Sequence, residues 1–120
     1  MADLHTLERD DVLVVRFTSP RVLSEVAIAQ IGEELMGLVD QAEGKLLLDF
    51  SGVSFMSSAM VGKFMSLSKK CQSTKTNAKL CSISPKIKEV FNLTGLNKVF
   101  RIYDNEAAAL AAFRKKGWFS

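Results

Sequence analysis

Few residues of this sequence are of the types that carry catalysis or bind metals. Its 120 residues include one histidine, His5, and two cysteines, Cys71 and Cys81. Two thiols without a histidine cluster make neither a disulfide framework nor a metal site, so both are expected to be reduced residues of the core. The single histidine lies in a weak first strand, so no Ser/His/Asp or Cys/His arrangement can be assembled. We therefore expect no enzyme activity, no catalytic residue, no cofactor and no bound metal.

Long hydrophobic segments are also absent from the sequence. No apolar run approaches the ~20 residues that a helix needs to cross a bilayer, and residues 1–5 lack the basic region and apolar core of a signal peptide. We therefore expect a cytoplasmic protein with no membrane contact. A hydrophobic content of 48% with 24% charged residues is ordinary for a globular protein. The length predicts a single domain over residues 1–120.

Positive charge is in slight excess and is not concentrated. The formal net charge is +3, and the basic residues are spread along the chain. Nucleic-acid binding favours a basic stripe with interleaved aromatic residues, which only residues 114–119 resemble. We interpret this segment as a solvated helix end whose cations suit the negative end of the helix dipole, with Trp118 and Phe119 folding back or fraying. No direct contact with nucleic acid is expected.

Strand and helix patterns alternate along the chain. Strands are predicted at residues 4–9, 12–17, 45–50, 79–83 and 99–103, with a short edge segment at 22–23, and helices at about 24–42, 58–72, 85–94 and 105–113. Asp10 and Asp11 fit the turn of a hairpin, and Ser24, Ser84 and Asp104 are the expected helix caps. The strand at 45–50 is apolar at consecutive positions, which indicates burial on both faces. This alternation predicts an α/β layer structure with a largely parallel sheet.

Two adjacent serines, Ser57 and Ser58, lie where an apolar strand gives way to an amphipathic helix. Beyond them, residues at helical spacing share one face of the helix: Met60, Phe64, Leu67 and Cys71. The serines therefore lie near a helix N-terminus, where free backbone N–H groups and the helix dipole favour an anion. A phosphate would be tolerated there and would change the surface sharply, which is the physical basis of a switch. The alternative is that one of the hydroxyls only caps the first turn of the helix.

Asp49, at the end of the predicted buried strand, is another candidate for chemistry. Its position suggests the phosphoacceptor of a response-regulator receiver, but that chemistry needs a carboxylate pair after the first parallel strand to hold a divalent cation. The acidic pair at 10–11 precedes a strand instead, and Ser84-Pro85 stands where a receiver has Lys-Pro. We therefore interpret Asp49 as a turn or capping residue.

The segment at residues 48–62 reads Leu-Asp-Phe-Ser-Gly-Val-Ser-Phe-Met-Ser-Ser-Ala-Met-Val-Gly. In register, it is similar to a motif of the STAS domain family, which includes bacterial anti-sigma factor antagonists. That motif has Leu-Asp-Leu-Ser, a short strand, and then Phe/Leu-x-Asp-Ser-Ser/Thr-Gly-Leu-Gly. Residues 80–91, 93–100 and 102–110 also resemble the family, so the likeness covers nearly the whole chain. It implies a STAS-like layer with a mixed, mostly parallel sheet of four to five strands and about four helices.

For the serines, the resemblance implies phosphorylation by a partner. In family members that switch partners, the serine after the Asp position is phosphorylated by an anti-sigma factor that is itself a serine kinase, and a serine phosphatase restores it. That register makes Ser58 the phosphoacceptor, with Ser57 as the second candidate. The unphosphorylated protein would sequester the kinase, free the sigma factor and so regulate transcription. The implied partner-binding residues are Ser57, Ser58, Ala59, Met60, Lys63, Arg21 and Ser24.

Three positions differ from the family motif. Ser57 stands at the Asp position, Ala59 where Ser or Thr is usual, and Met60 at the Gly position. The first difference removes a negative charge, and the third adds bulk where a partner would approach. Both favour an alternative function, a STAS protein-interaction or scaffold module whose serines only cap the helix. A third alternative, a STAS domain that binds a small ligand or nucleotide, has no support in any sequence feature.

Overall fold

A computed structural model describes residues 4–18, 21–22 and 25–116. Within these ranges the strands are β1 (Leu4–Arg9), β2 (Val12–Phe17), β3 (Arg21–Val22), β4 (Lys45–Asp49), β5 (Phe55–Met56), β6 (Asn77–Cys81) and β7 (Arg101–Tyr103). The helices are α1 (Glu25–Gln41), α2 (Ser58–Thr74), α3 (Pro85–Thr94), α4 (Leu96–Val99) and α5 (Glu106–Lys116). None of these helices is long and apolar enough to cross a membrane.

Five of the strands form one mixed sheet in the order β1-β2-β4-β6-β7. β1 runs antiparallel to β2, and the other neighbouring strands are parallel. The hairpin turns at Asp10 and Asp11, whose φ angles of 54° and 67° are left-handed, as in a type I′ turn. The two remaining strands, β3 and β5, form a separate parallel pair. The predicted mixed, mostly parallel sheet is therefore confirmed, with five helices where about four were expected.

Side chains of the sheet form two hydrophobic clusters, one on each face. The first face is covered by α1, α2, α3 and α4, and its cluster includes Leu46 and Leu48 of β4. The second face is covered by α5, and its smaller cluster includes Leu47 of the same strand. All three leucines are 0% exposed. The consecutive apolar run of β4 is thus buried on both faces, as predicted.

Four phenylalanine rings join the carboxyl-terminal ends of β2 and β4 to the helices of the first face. Phe17 ends β2, Phe50 follows β4, Phe64 lies in α2 and Phe91 lies in α3. Neighbouring ring centroids are between 5.0 Å (Phe17 to Phe50) and 6.4 Å (Phe64 to Phe91) apart. The rings are tilted or edge-on to one another, the arrangement that aromatic pairs prefer. This cluster fixes the position of α2, at whose N-terminus the serines lie.

The end of α2 differs from the prediction. The helix continues to Thr74 rather than stopping at 72, and the next strand begins at Asn77, so the connection between them is shorter than predicted. Lys75 ends the helix in the left-handed conformation (φ 60°), and its N–H donates to the carbonyls of Cys71 and Gln72. This arrangement satisfies carbonyls that the last turn of the helix would otherwise leave unpaired.

Strands β6 and β7 are shifted from their predicted positions. β6 begins at Asn77, whose N–H donates to the Gly44 carbonyl at 2.8 Å, rather than at 79. It ends at Cys81 because Ser82 has a φ of 61°, which a strand does not accommodate. β7 begins at Arg101 rather than at 99, since residues 96–99 form the single helical turn of α4, which was not predicted.

The helix caps agree with the sequence in one case and differ in another. The Ser84 hydroxyl accepts a hydrogen bond from the Ile87 N–H at 3.3 Å, so Ser84 caps α3 as predicted. For α5 the cap is Asn105 rather than Asp104, because the Asn105 side-chain oxygen accepts from the Ala108 N–H at 2.8 Å. Ser24, the expected cap of α1, lies outside the described residues, as do Leu23, Trp118 and Phe119.

Both cysteines are free and buried, which confirms that they are reduced residues of the core. Burial raises the pKa of the Cys81 thiol to about 12 and also raises the pKa of Cys71. In the described ranges, no group of three or more His, Cys, Asp or Glu side chains could hold a metal ion.

Candidate functional site

The chain reaches the serines through a tight turn after β4. The Asp49 carboxylate, 5% exposed, accepts a hydrogen bond from the Ser51 N–H at 2.9 Å. A Cβ atom at Gly52 would lie 3.0 Å from the Phe17 carbonyl oxygen, so the turn passes close to the end of β2 and leaves little room for a side chain. Asp49 is therefore a turn residue, as predicted.

The second oxygen of the Asp49 carboxylate belongs to an ion-pair network. It lies 3.6 Å from the Arg16 Nε, and the Arg16 Nη2 donates to both carboxylate oxygens of Glu106, at 3.1 and 2.9 Å. The hydrogen bonds to Glu106 are the main cause that raises the pKa of Arg16. Arg16 thus offsets the charge of a nearly buried aspartate and joins the start of α5 to the turn before the serines.

Ser57 is the N-cap of α2. Its backbone is extended (φ −82°, ψ 161°), and its hydroxyl accepts a hydrogen bond from the Met60 N–H at 3.3 Å. Its carbonyl accepts from the N–H groups of Met60 and Val61, at 3.1 and 3.3 Å. The side chain is half-buried. Of the two hydroxyls, that of Ser57 is therefore the one that satisfies the first turn of the helix.

Ser58 is the first residue of α2, and its side chain is exposed. No side chain or backbone group in the described ranges forms a hydrogen bond with its hydroxyl. The first turn of α2 also contains no acidic residue, so the helix has no carboxylate of its own in that turn to offset the positive end of its dipole beside Ser58. This environment leaves the Ser58 hydroxyl accessible, and the positive end of the helix dipole favours a negative charge there.

Met60 is buried rather than available to a partner, which corrects one of the expected surface residues. Its side chain is 1% exposed and belongs to the cluster of the first face, with Phe64, Leu67 and Cys71. The physical reason is the helical repeat, which turns residue 60 toward the sheet together with those three residues. The predicted apolar face of the helix is thus confirmed, and it includes its first turn.

The outer face of the same turn carries small, exposed residues beside an aromatic ring. Ser58, Ala59 and Gly62 are exposed, and Phe55 of β5 is 37% exposed. We call these four residues the serine surface. Phe55 and Gly62 were not among the residues predicted from the sequence, although the helical phase set by Met60 and Phe64 places position 62 on the outer side.

Lys63 lies against α1 next to this surface. It is half-buried, and a Cβ atom at Gly32 of α1 would lie 2.9 Å from its Cδ. The missing side chain at Gly32 therefore makes room for the Lys63 stem, which offsets the roughly 1 kcal/mol that a glycine costs inside a helix. Lys63 is thus held at the edge of the serine surface by the packing of α1 on α2.

The backbone of β3 also lies beside the serine segment. Arg21 pairs in register with Phe55, and Val22 with Met56. The structure therefore brings residues 21–22 next to the strand that leads to the serines. The side chain of Arg21 and the whole of Ser24 lie outside the described part of the structure.

Comparison with known proteins agrees with this architecture. A family model described as STAS domain matches residues 3–109. The protein BtrV of Bordetella bronchiseptica, whose name assigns it provisionally as an anti-sigma factor antagonist, is 28% identical over 93 residues, which cover 78% of this chain and 80% of BtrV.

Solved structures give the same result. An anti-sigma factor antagonist (STAS) domain protein from Planctomyces limnophilus is 27% identical, covers 93% of this chain and 98% of its own, and superposes with a TM-score of 0.81. SpoIIAA of Bacillus in its phosphorylated form is 21% identical, covers 92% of this chain and 98% of its own, and has a TM-score of 0.68, which shows a shared fold. With the family model matching nearly all of the described residues, this chain belongs to the STAS domain family.

Proposed function

We propose that this protein is an anti-sigma factor antagonist that works in the cytoplasm as a phosphorylation-controlled protein-binding switch. Its unphosphorylated form binds an anti-sigma factor serine kinase, so that a sigma factor is freed and transcription changes. Phosphorylation of Ser58 by that kinase ends the binding, and a serine phosphatase restores the hydroxyl. Membership of the STAS family and the names of its relatives support the antagonist role. The observation that carries the proposal is the exposed Ser58 hydroxyl at the start of α2, next to a Ser57 hydroxyl engaged as the cap.

The proposed reaction is an ordinary phosphoryl transfer. The Ser58 Oγ forms a bond to the γ-phosphorus of an ATP molecule held by the kinase, and the bond between that phosphorus and the β,γ-bridging oxygen breaks. ADP leaves, and the hydroxyl proton passes to a base of the kinase. The phosphatase reverses the modification with water, releasing inorganic phosphate. This chain contributes only the nucleophile, which fits a binding protein rather than an enzyme.

The fold tolerates the added charge at this position. A phosphoserine brings about −1.5 to −2 charges, and at the first position of a helix these face the positive end of the dipole and free N–H groups. Because Ser57 and not Ser58 caps α2, phosphorylation of Ser58 breaks no hydrogen bond of the cap. We therefore expect the modification to change the surface and not the backbone.

The serine surface is the proposed contact for the kinase. Ala59 and Gly62 let a partner approach the helix closely, and Phe55 offers apolar area at its edge. A phosphate beside an apolar contact opposes binding through the cost of desolvating it and through repulsion of acidic groups. Ser57, Lys63 and the segment that includes Arg21 and Ser24 would flank this contact.

The test is the phosphorylation state of the protein in its native host. Intact mass followed by peptide mapping should show one phosphoryl group on Ser58 that varies with growth condition. Ser58→Ala should remove that modification, and the matched variant Ser57→Ala should keep it while losing helix stability. Phosphate on Ser57 alone, or a protein unmodified under every condition, would contradict the proposal.

One alternative retains specific support. Ser57 does cap α2, and the Asp of the family motif is absent at that position, as expected for a STAS interaction or scaffold module that is never phosphorylated. If the protein is such a module, the wild type and Ser58→Asp should bind its partners with equal affinity. If it is the switch, Ser58→Asp should bind the kinase at least about tenfold more weakly than the wild type does.

A further inference from the structure

A groove of about 490 Å³ lies between α3, α4 and the last strand of the sheet. Its lining includes Lys88 and Asn92 of α3, Lys98 of α4, and Arg101 and Ile102 of β7. No acidic side chain is among the described residues that line it. A second depression along α3 shares Lys88 and Asn92 with the groove and is also lined by Pro85, Lys86 and Glu89. The result is a positively charged channel beside one edge of the sheet.

No ion pair among the described residues involves the cations of the groove. Lys88, Lys98 and Arg101 are exposed, and the ion pairs among the described residues involve Arg9, Arg16, Lys70 and Arg114 instead. By contrast, the exposed Arg114 does lie against a carboxylate, since its Nη1 is 2.7 Å from Asp10. The groove therefore has the potential to attract an acidic partner.

The groove borders an open strand edge. Among the described strands, β7 is the last of the sheet order, with β6 as its neighbour. The Tyr103 carbonyl accepts a hydrogen bond from the Ser82 N–H at 3.2 Å and so faces β6. Because backbone groups of successive residues in a strand point to opposite sides, the N–H and C=O of Ile102 face away from β6, toward the groove. An open donor and acceptor of this kind are a template for one more strand.

We propose that this groove binds an acidic, extended peptide segment of a partner protein, which pairs with the free edge of β7. The Ile102 backbone supplies a donor and an acceptor to the added strand, as in other recognition by strand addition. Ile102 packs with the first face of the sheet, whereas Tyr103 packs with the second, so Arg101 is on the second side. The side chains of an added strand point alternately to the two faces of the sheet. Those on the first face would meet Lys88 and Lys98, and those on the second face would meet Arg101. A peptide backbone offers an N–H donor and a C=O acceptor at the spacing of a strand edge, whereas a phosphodiester backbone offers acceptors alone, so the edge favours a peptide.

This contact is separate from the serine surface. Arg101 is at the amino-terminal end of β7, whereas Ser57 and Ser58 follow the turn after the carboxyl-terminal end of β4. Since β4, β6 and β7 are parallel, the two surfaces lie toward opposite ends of the sheet. Peptide binding is therefore expected to be the same for Ser58→Asp as for the wild type, and it does not depend on the proposed switch.

The first test uses a short fluorescein-labelled peptide of alternating glutamate and threonine, titrated with the full chain at low ionic strength. Fluorescence anisotropy should show binding at least about tenfold tighter than that of the same peptide with lysine in place of glutamate, weakening as salt is added. The double variant Lys88→Glu with Lys98→Glu should lose about tenfold or more in affinity. The control pair Lys69→Glu in α2 with Lys75→Glu at its C-terminal cap makes the same change of net charge and should keep the affinity within about twofold.

The second test examines the strand edge itself. In the free protein the Ile102 amide should exchange with solvent faster than the ladder amide of Tyr103, and the acidic peptide should slow it by about tenfold or more. Ile102→Pro removes the outward N–H, which an edge strand tolerates, and should weaken binding relative to Ile102→Val, with circular dichroism checking the fold of both.

Four results would overturn the proposal. These are equal affinity for the acidic and basic peptides, no binding at millimolar peptide, unchanged exchange at Ile102, or equal binding by the proline and valine variants. Protection of Ile102 that rises with protein concentration alone would identify a second copy of this chain as the occupant instead. A single-stranded DNA oligonucleotide that binds more tightly than the acidic peptide, and that depends on Lys88 and Lys98, would show a nucleic-acid site.

Discussion

The two faces of the central sheet are held by different forces. The first face, under α1–α4, is an apolar core in which Phe17, Phe50, Phe64 and Phe91 pack against one another. The second face, under α5 alone, combines a small apolar cluster with charges. Burial is non-directional, whereas ion pairs and cation–π contacts depend on geometry, salt and pH. The face that positions the serines is thus the one whose packing least depends on solution conditions.

The charged contacts of the second face are specific. The Lys79 ammonium lies 5.1 Å from the ring centroid of Phe113 and 5.4 Å from that of Tyr103, although Lys79 is only 8% exposed. Such cation–π contacts compensate part of the cost of burying an ammonium group. Together with the Arg16–Glu106 pair, they tie α5 to strands far from it in sequence.

The strongest test of this contrast removes one buried ring from each face. Phe64→Ala should cost about 5 kcal/mol of the free energy of unfolding and Phe113→Ala about 3, the two ends of the usual range for such changes. Phe64 contacts three other rings, so its removal leaves more unfilled contacts than the loss of Phe113. Urea unfolding measures both, and equal costs would mean that the faces do not differ.

The pH dependence of stability sharpens the comparison for the second face. The unfolded Cys81 thiol loses its proton near its ordinary value of 9.0, whereas burial raises its pKa in the folded protein to about 12. Between these values the unfolded state binds fewer protons, so stability falls as the pH rises. From pH 8 to 10 we expect the wild type to lose about 1.4 kcal/mol more than Cys81→Ala does, since other groups titrate in both. Equal losses in the two proteins would contradict this account.

A smaller effect is expected from the ion pair at the start of α5. Glu106→Gln should lower the free energy of unfolding by about 1 kcal/mol at low salt, because the pair is hydrogen-bonded but partly exposed. The loss should shrink as salt is added. Glu89→Gln, at an exposed acidic residue of α3 on the first face, is the matched control and should change stability by less than about 0.5 kcal/mol. A salt-independent loss for Glu106→Gln would argue against an electrostatic contact.

The smallest effects separate the two serines. Ser57→Ala should lower the free energy of unfolding by about 1 kcal/mol through loss of the cap, whereas Ser58→Ala should change it by less than about 0.5. Asn105→Ala, which removes the cap of α5 on the second face, should resemble Ser57→Ala. Thermal or urea unfolding of the three variants measures these differences in the free energy of unfolding. Equal losses for Ser57→Ala and Ser58→Ala would mean that the two serines share the capping role.

Local patterns predicted much of the fold. The Asp10-Asp11 hairpin, the buried run of β4 and the cap of α3 by Ser84 each depend on neighbouring residues alone, and all are present in the structure. The errors lie where a competing local conformation intervened. Left-handed backbone at Lys75 and Ser82 shifted the end of α2 and the end of β6, and Asn105 rather than its neighbour Asp104 capped α5.

The candidate site was predictable in position and not in detail. The sequence located both serines at a helix start but left open which hydroxyl caps it, since that depends on where the strand geometry of β5 ends. It also assigned Met60 to the partner surface while assigning the same residue to the apolar helix face, and only the packing against the sheet decides between them. That packing buries Met60 and exposes Gly62.

The sequence by itself determined most of the succession of strands and helices along the chain, the amphipathic face of α2 and the family, because these follow from periodicity, turn chemistry and motif within short windows. Only the tertiary structure decided that Arg16 pairs with Glu106, 90 residues away, and that Lys79 lies between two rings. The tertiary structure also decided that, among the described strands, β7 is at the edge of the sheet beside three cations that form no ion pair with a described residue. The physical reason is that each of these depends on which strands become neighbours, and strand order is set by the burial of the whole sheet.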